Sequence, residues 1–91
     1  MDFTLEFFSN DRYKVLMLLQ DNQIKVKDDT YISLSQQEMA DMLHFAKVKT
    51  NKILKELQEN GYVSCYKGTR GKYCITDKGY TALKLIQKNN K

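Results

Sequence analysis

The stretch LSQQEMADMLHFAKVKTNKILKELQENGYV, residues 34–63, decides the fold. Ser35 and Glu38 stand in capping-box spacing ahead of Met39, Met42 and Leu43, which recur at helical period. A helix therefore opens at Ser35 with those three side chains turned inward. A second helix follows after almost no connection. Thr50, Ile53, Leu54 and Leu57 fall at i, i+3, i+4 and i+7 and form its buried stripe. Lys47, Val48, Asn51, Lys52 and Lys55 fall mainly on the other side of the same wheel. Gly61 sits where a left-handed residue ends the helix.

Working outward, SNDRYKVLMLLQDN reads as an earlier helix of roughly three turns, capped by Ser9 or Asn10 and running to Gln20. Val15 to Leu19 leave it no polar side in the middle, so it is expected to be covered on two sides. NQIKVKDDTYISLS alternates weakly, with Asp28, Asp29 and Thr30 as a turn and Tyr31–Leu34 as a short strand. Beyond Gly61, YVSCYK and KYCIT flank GTRG as a hairpin with a basic tip. Thr76 then caps a final amphipathic helix, with Tyr80, Leu83 and Ile86 on one side and Ala82 and Leu85 beside it. There are no prolines and only four glycines, so each glycine is expected to mark a turn. The order is helix, strand, helix, helix, strand, strand, helix. This is a mainly α chain with a small β-hairpin (α+β), one domain over residues 1–91, the helix pair at about 35–60 and the hairpin at about 62–76.

The net charge of +4 is unevenly placed. Residues 46–72 hold seven basic residues (Lys47, Lys49, Lys52, Lys55, Lys67, Arg70, Lys72) and two acids (Glu56, Glu59), a net of +5. The remainder holds eight basic and nine acidic residues, a net of −1. A phosphate-binding face would concentrate charge in this way, whereas a merely solvated face would not need to.

The rest of the composition narrows the class. At 42% hydrophobic and 29% charged the chain is globular, with one modest core. The longest apolar run is too short to span a bilayer, and MDFTLEFFSND lacks the basic start of a secretory signal, so the cytoplasm is the expected location. Cys65 and Cys74 are equidistant from the centre of GTRG. A regular hairpin would set them opposite each other, and in a reducing cytosol they are expected to be buried thiols. One His and two Cys offer no metal-ligand spacing. No nucleophile triad, glycine-rich phosphate loop or paired carboxylate suggests an enzyme, and no cofactor is expected.

The residue 34–63 run resembles the helix-turn-helix of winged-helix bacterial regulators, especially the cyclic-AMP-receptor type. KYCITDKGYTAL is similar to the second wing strand and following helix of MarR- and PadR-like repressors. The chain differs from the usual pattern in having His44 in the turn, Ala46 as the cap of the second helix, and Thr50 in its core. The resemblance implies double-stranded DNA as partner, with base contacts at Lys47, Val48 and Lys52 and phosphate contacts at Ser35, Gln36 and Gln37 through outward-pointing N–H groups. Lys49, Asn51 and Lys55 are candidate additional contacts. The wing would add Lys67, Thr69, Arg70 and Lys72 in the minor groove or on phosphates; a basic tip that discourages edge pairing is the alternative.

A transcriptional regulator, most often a repressor, is the leading expectation. A centromere- or origin-binding protein of a plasmid or phage partition or replication system is the alternative, and a protein-interaction winged helix a third. Phe3, Leu5, Phe7 and Phe8 have no obvious place in a small core. With the flanking segments 1–21 and 77–90 they suggest a homodimer, which suits a palindromic site. No effector-binding feature is evident.

Overall fold

The computed structural model describes residues 11–68 and 71–89. The proposed Ser9 or Asn10 cap, the N-terminal phenylalanines, Thr69 and Arg70 lie outside that range. Four helices and two hairpins follow in chain order: α1 (Asp11–Asp21), β1 (Ile24–Val26), β2 (Asp29–Tyr31), α2 (Gln36–Leu43), α3 (Lys47–Glu59), β3 (Val63–Cys65), β4 (Tyr73–Ile75) and α4 (Asp77–Asn89). This is the expected α+β winged helix with one strand more than the sequence suggested.

The extra strand is β1, from the weakly alternating stretch, and the strand expected at Tyr31–Leu34 instead starts at Asp29 and ends at Tyr31. Val26 pairs with Asp29 and Ile24 with Tyr31, so the turn lies at Lys27 and Asp28, and Asp29 and Thr30 belong to β2. Lys27 takes a left-handed backbone (φ 56°) to close it. Ile32, just past β2, exchanges two backbone hydrogen bonds with Tyr73 of β4, at 2.8 and 2.9 Å. That bridge joins the two hairpins, so the first hairpin flanks the wing rather than standing apart from it.

The core gathers one stripe from each helix. Val15, Leu16 and Leu19 of α1, Met39 of α2, Ile53, Leu54 and Leu57 of α3, and Leu83 and Ile86 of α4 close around Ile32, Tyr62 and Val63. The α3 stripe is buried as expected, including Thr50, whose hydroxyl donates to the Ala46 carbonyl one turn back at 3.1 Å. Three of the five apolar residues at Val15–Leu19 are consumed by this core, and Met17 and Leu18 stay half-buried against it. Met42 departs from expectation. It is 48% exposed, because Met39 and Ala40 already fill the inward side of this two-turn helix.

The capping box forms in full. The Ser35 hydroxyl accepts from the Glu38 N–H at 3.0 Å, and the Glu38 carboxylate accepts from the Ser35 N–H at 2.8 Å. His44 ends α2 in the left-handed region (φ 60°), so a non-glycine residue makes the tight turn. Ala46 caps α3 without a side-chain bond. Thr76 caps α4 through its hydroxyl, which accepts from the Gly79 N–H at 3.0 Å and donates to the Gly61 carbonyl at 2.6 Å.

Two expectations fail in this half of the chain. Val63 pairs with Ile75, Ser64 with Cys74 and Cys65 with Tyr73, so the cysteines are one register step apart and face opposite sides of the hairpin. The loop is not symmetric about GTRG. Tyr66 still pairs with Lys72, Lys67 and Gly68 both adopt positive φ, and the turn centres one half-step earlier than the sequence suggests. Both thiols are free. Cys65 is exposed, and the partial burial of Cys74 pushes its thiol up from the ordinary value. The second failure concerns Gly79, which marks no turn but lies inside the first turn of α4.

Candidate nucleic-acid interface

Burying Thr50, Ile53, Leu54 and Leu57 turns the opposite face of α3 to solvent. Lys47, Lys52 and Lys55 are exposed along it, and Val48 is 80% exposed. No carboxylate among the described residues pairs with Lys47, Lys52 or Lys55. Val48, Lys52 and Lys55 share one exposed side of the wheel, and Lys47 joins them at the exposed first position of α3.

Two neighbouring candidates behave differently. Asn51 is half-buried, and its Oδ1 is enclosed without a hydrogen-bond partner, so its side chain leans toward the protein. Lys49 sits 2.6 Å from the Asp11 carboxylate at the start of α1 and over the Phe45 ring at 4.4 Å. The Lys49 hydrogen bond is the main cause holding the Asp11 carboxyl below its usual range. Arg12, next along, pairs with Glu56 at 2.9 Å. The start of α1 is therefore fastened to the side of α3.

At the start of α2, Ser35 and Gln37 are exposed and Gln36 is half-buried. The Ser35 N–H is not free as expected, because the Glu38 carboxylate occupies it. The Gln37 amide donates to Asp41 at 2.8 Å. Ser35 and Gln36 share an open cleft with Gly71 and Tyr73, so the start of α2 and the wing border the same surface.

The wing is tied to the first hairpin by Asp29, Tyr31 and Tyr66, which the sequence reading did not single out as site residues, together with the expected wing lysines Lys67 and Lys72. Tyr31 and Tyr66 stack with ring centroids 4.8 Å apart. The Tyr66 hydroxyl donates to Asp29 Oδ2 at 2.8 Å, and the Lys67 ammonium approaches the same oxygen at 3.2 Å. Those two donors, Tyr66 first, hold the Asp29 carboxyl below its ordinary range, and Asp29 in turn raises Lys67. The Lys72 ammonium lies over the Tyr31 ring at 5.1 Å. No local pattern signals these contacts, since Asp29 and Tyr66 are 37 residues apart. Among the described residues no cluster of three or more potential metal ligands exists, and no helix is long and apolar enough to cross a membrane.

Comparison with known proteins agrees with this geometry. No curated protein matches the sequence. Among solved structures, the reduced Fe(II) CO-sensing protein from R. rubrum superposes with a TM-score of 0.69 at 18% identity, covering 86% of this chain and 38% of that one. A CRP-family transcriptional regulator from Thermus thermophilus gives 0.60 at 13% identity, covering 84% and 40%. This chain thus spans about two-fifths of the length of either protein. A mutant of the type III plasmid segregation protein TubR gives 0.67 at 18% identity, and here the match covers 98% of this chain and 97% of that one. At these identities the likenesses establish the fold. The family is set by the sequence itself: residues 13–80 match the model of the Crp-like helix-turn-helix domain, and the chain belongs to that family.

Proposed function

We propose that this protein binds double-stranded DNA as a homodimer and regulates transcription, with α3 in the major groove and the wing on the adjacent backbone. The observation that carries this reading is the exposed strip of Lys47, Val48, Lys52 and Lys55 on a helix whose other face is buried. A helix about 10–12 Å across fits a major groove about 12 Å wide. Lys47 and Lys52 reach base edges or phosphates as single-point donors, and Val48 offers contact to a thymine methyl. Lys55 lies farther along the helix and meets backbone. The test is a fluorescence-anisotropy titration with selection from random duplexes. No enrichment and no binding at low salt would remove the proposal.

Full-length correspondence with TubR favours a second reading, binding to clustered sites in plasmid segregation. Footprinting separates the two. One short protected operator beside a promoter supports transcriptional regulation, and cooperative protection of iterated repeats supports segregation.

Two further outcomes follow from the proposed assembly and base contacts. Met17 and Leu18 remain half-buried, so α1 keeps apolar surface for a second copy. Light scattering at micromolar concentration should give twice the 10.7 kDa chain mass; a single-chain mass across that range would defeat the dimer. Lys52→Ala should cost about 1–3 kcal/mol on the preferred site and weaken discrimination between sites. Equal losses on preferred and random duplexes would show that Lys52 does not read bases.

A further inference from the structure

The wing and the first hairpin share a four-residue stack. Lys72 lies over Tyr31 at 5.1 Å, Tyr31 stacks on Tyr66 at 4.8 Å, and Lys67 lies over Tyr66 at 5.3 Å. A cation thus sits at each end of a pair of rings, within the range at which ring quadrupoles attract ammonium groups. The two ends are not equivalent. Lys67 is 3.2 Å from Asp29 Oδ2, which also accepts from the Tyr66 hydroxyl, so it already has an anionic partner within the protein. No carboxylate among the described residues pairs with Lys72.

The backbone gives the same asymmetry. Lys67 holds a left-handed conformation (φ 48°, ψ 33°) in the short 3-10 turn at Tyr66–Gly68, uncommon for a non-glycine residue. Its side chain there meets Asp29 and the Tyr66 ring. Lys72 lies on the opposite limb of the loop, where Tyr66 N–H pairs with its carbonyl. Its side chain lies over the Tyr31 ring of the first hairpin.

We propose that Lys72 is the phosphate contact of this limb of the wing, that Tyr31 and Asp29 of the first hairpin are its positioning residues, and that Lys67 is a structural anchor rather than a DNA contact. This rests on the DNA-binding reading above and assigns a task to a hairpin that reading leaves idle. Tyr31 holds the long Lys72 side chain over its ring, which reduces the rotamer freedom lost when the ammonium meets a phosphate. Asp29 fixes the second ring through the Tyr66 hydroxyl and removes Lys67 from competition for the same phosphate.

The experiment is a double-mutant cycle of Tyr31→Ala and Lys72→Ala, read as affinity and salt slope on one duplex of the full chain, with Tyr31→Phe and Lys67→Met alongside. Melting temperatures of each variant report stability separately. Tyr31→Ala is expected to weaken binding several-fold in the wild-type background and to have no further effect once Lys72 is alanine. Tyr31→Phe keeps the ring and should bind as wild type. Lys67→Met should leave the salt slope unchanged, whereas Lys72→Ala should flatten it. Additive losses in the cycle, or a Lys67→Met slope as flat as that of Lys72→Ala, would overturn the assignment. Wild-type protein that fails to bind any duplex would instead remove the DNA-binding reading on which it rests.

Discussion

Replacing Gly79 by alanine should lower stability by about 1–3 kcal/mol, although the change is made inside a helix. Helix propensity alone points the other way, since alanine is favoured over glycine there by about 0.8–1.0 kcal/mol. Packing decides the sign. A Cβ at Gly79 would stand 2.4 Å from the Tyr62 carbonyl oxygen and 2.7 Å from Ile75 Cγ2. Neither neighbour can easily give way. The Tyr62 oxygen accepts the Thr76 N–H at 3.1 Å, and Thr76 itself is fixed by its hydroxyl bond to Gly61. Ile75 is a buried residue of β4 paired with Val63. Relief therefore requires α4 to move away from the hairpin, opening the core at Leu83 and Ala82. For a domain of this size the loss corresponds to roughly 4–24 °C in Tm. Thermal unfolding of the Gly79→Ala variant measures it. An unchanged or raised Tm would mean that the helix and hairpin can slide apart without cost.

Gly79 also shows what kind of information a sequence withholds. Gly61 was legible as a helix stop because the end of an amphipathic run and a following strand are local signals, and its φ of 82° agrees. Gly79 answers to the backbone of Tyr62, on the far side of the wing in sequence, and nothing in DKGYTAL announces that approach. The same division runs through the proposed binding face. The exposure of Val48, Lys52 and Lys55 follows from the 3.6-residue period once Thr50, Ile53, Leu54 and Leu57 are assigned to the core, and that of Lys47 from its place at the start of α3. The ion pairs that remove Lys49 and Lys67 from that face do not, because Asp11 and Asp29 come from α1 and β2, far away in the chain. Periodicity tells which side of a helix is wet but not which neighbour already occupies a charge on that side. Register fails for a related reason. Placing Cys65 opposite Cys74 assumed a symmetric loop, and a one-residue offset at Lys67 and Gly68 is enough to turn every side chain of the pairing to the other face.

Those two ion pairs decide how steeply DNA binding should fall with salt. Each lysine or arginine that meets a phosphate releases condensed counterions, and log K against log salt then falls by about 0.9 per phosphate on B-DNA. Counting every basic residue of 46–72 except the two assigned to base edges leaves Lys49, Lys55, Lys67, Arg70 and Lys72. For the proposed dimer that makes about ten contacts and a slope near −9. Lys49 and Lys67, however, already neutralise carboxylates at 2.6 and 3.2 Å, so moving either to a phosphate exchanges one anion for another and exposes an acid beside the duplex. Removing both leaves about three contacts per protomer, or four if Lys47 or Lys52 turns to the backbone. The expected slope is then about −5 to −7, a loss of about 10³–10⁴-fold in affinity between 50 and 200 mM salt. Lys84→Ala, on the exposed side of α4, should not alter it. Anisotropy titrations of one duplex across that range make the measurement. A slope near −9 would show that Asp11 and Asp29 release their lysines on binding. A slope near zero would leave the lysines of AKVKTNKILK as a solvated helix face with no phosphate to meet.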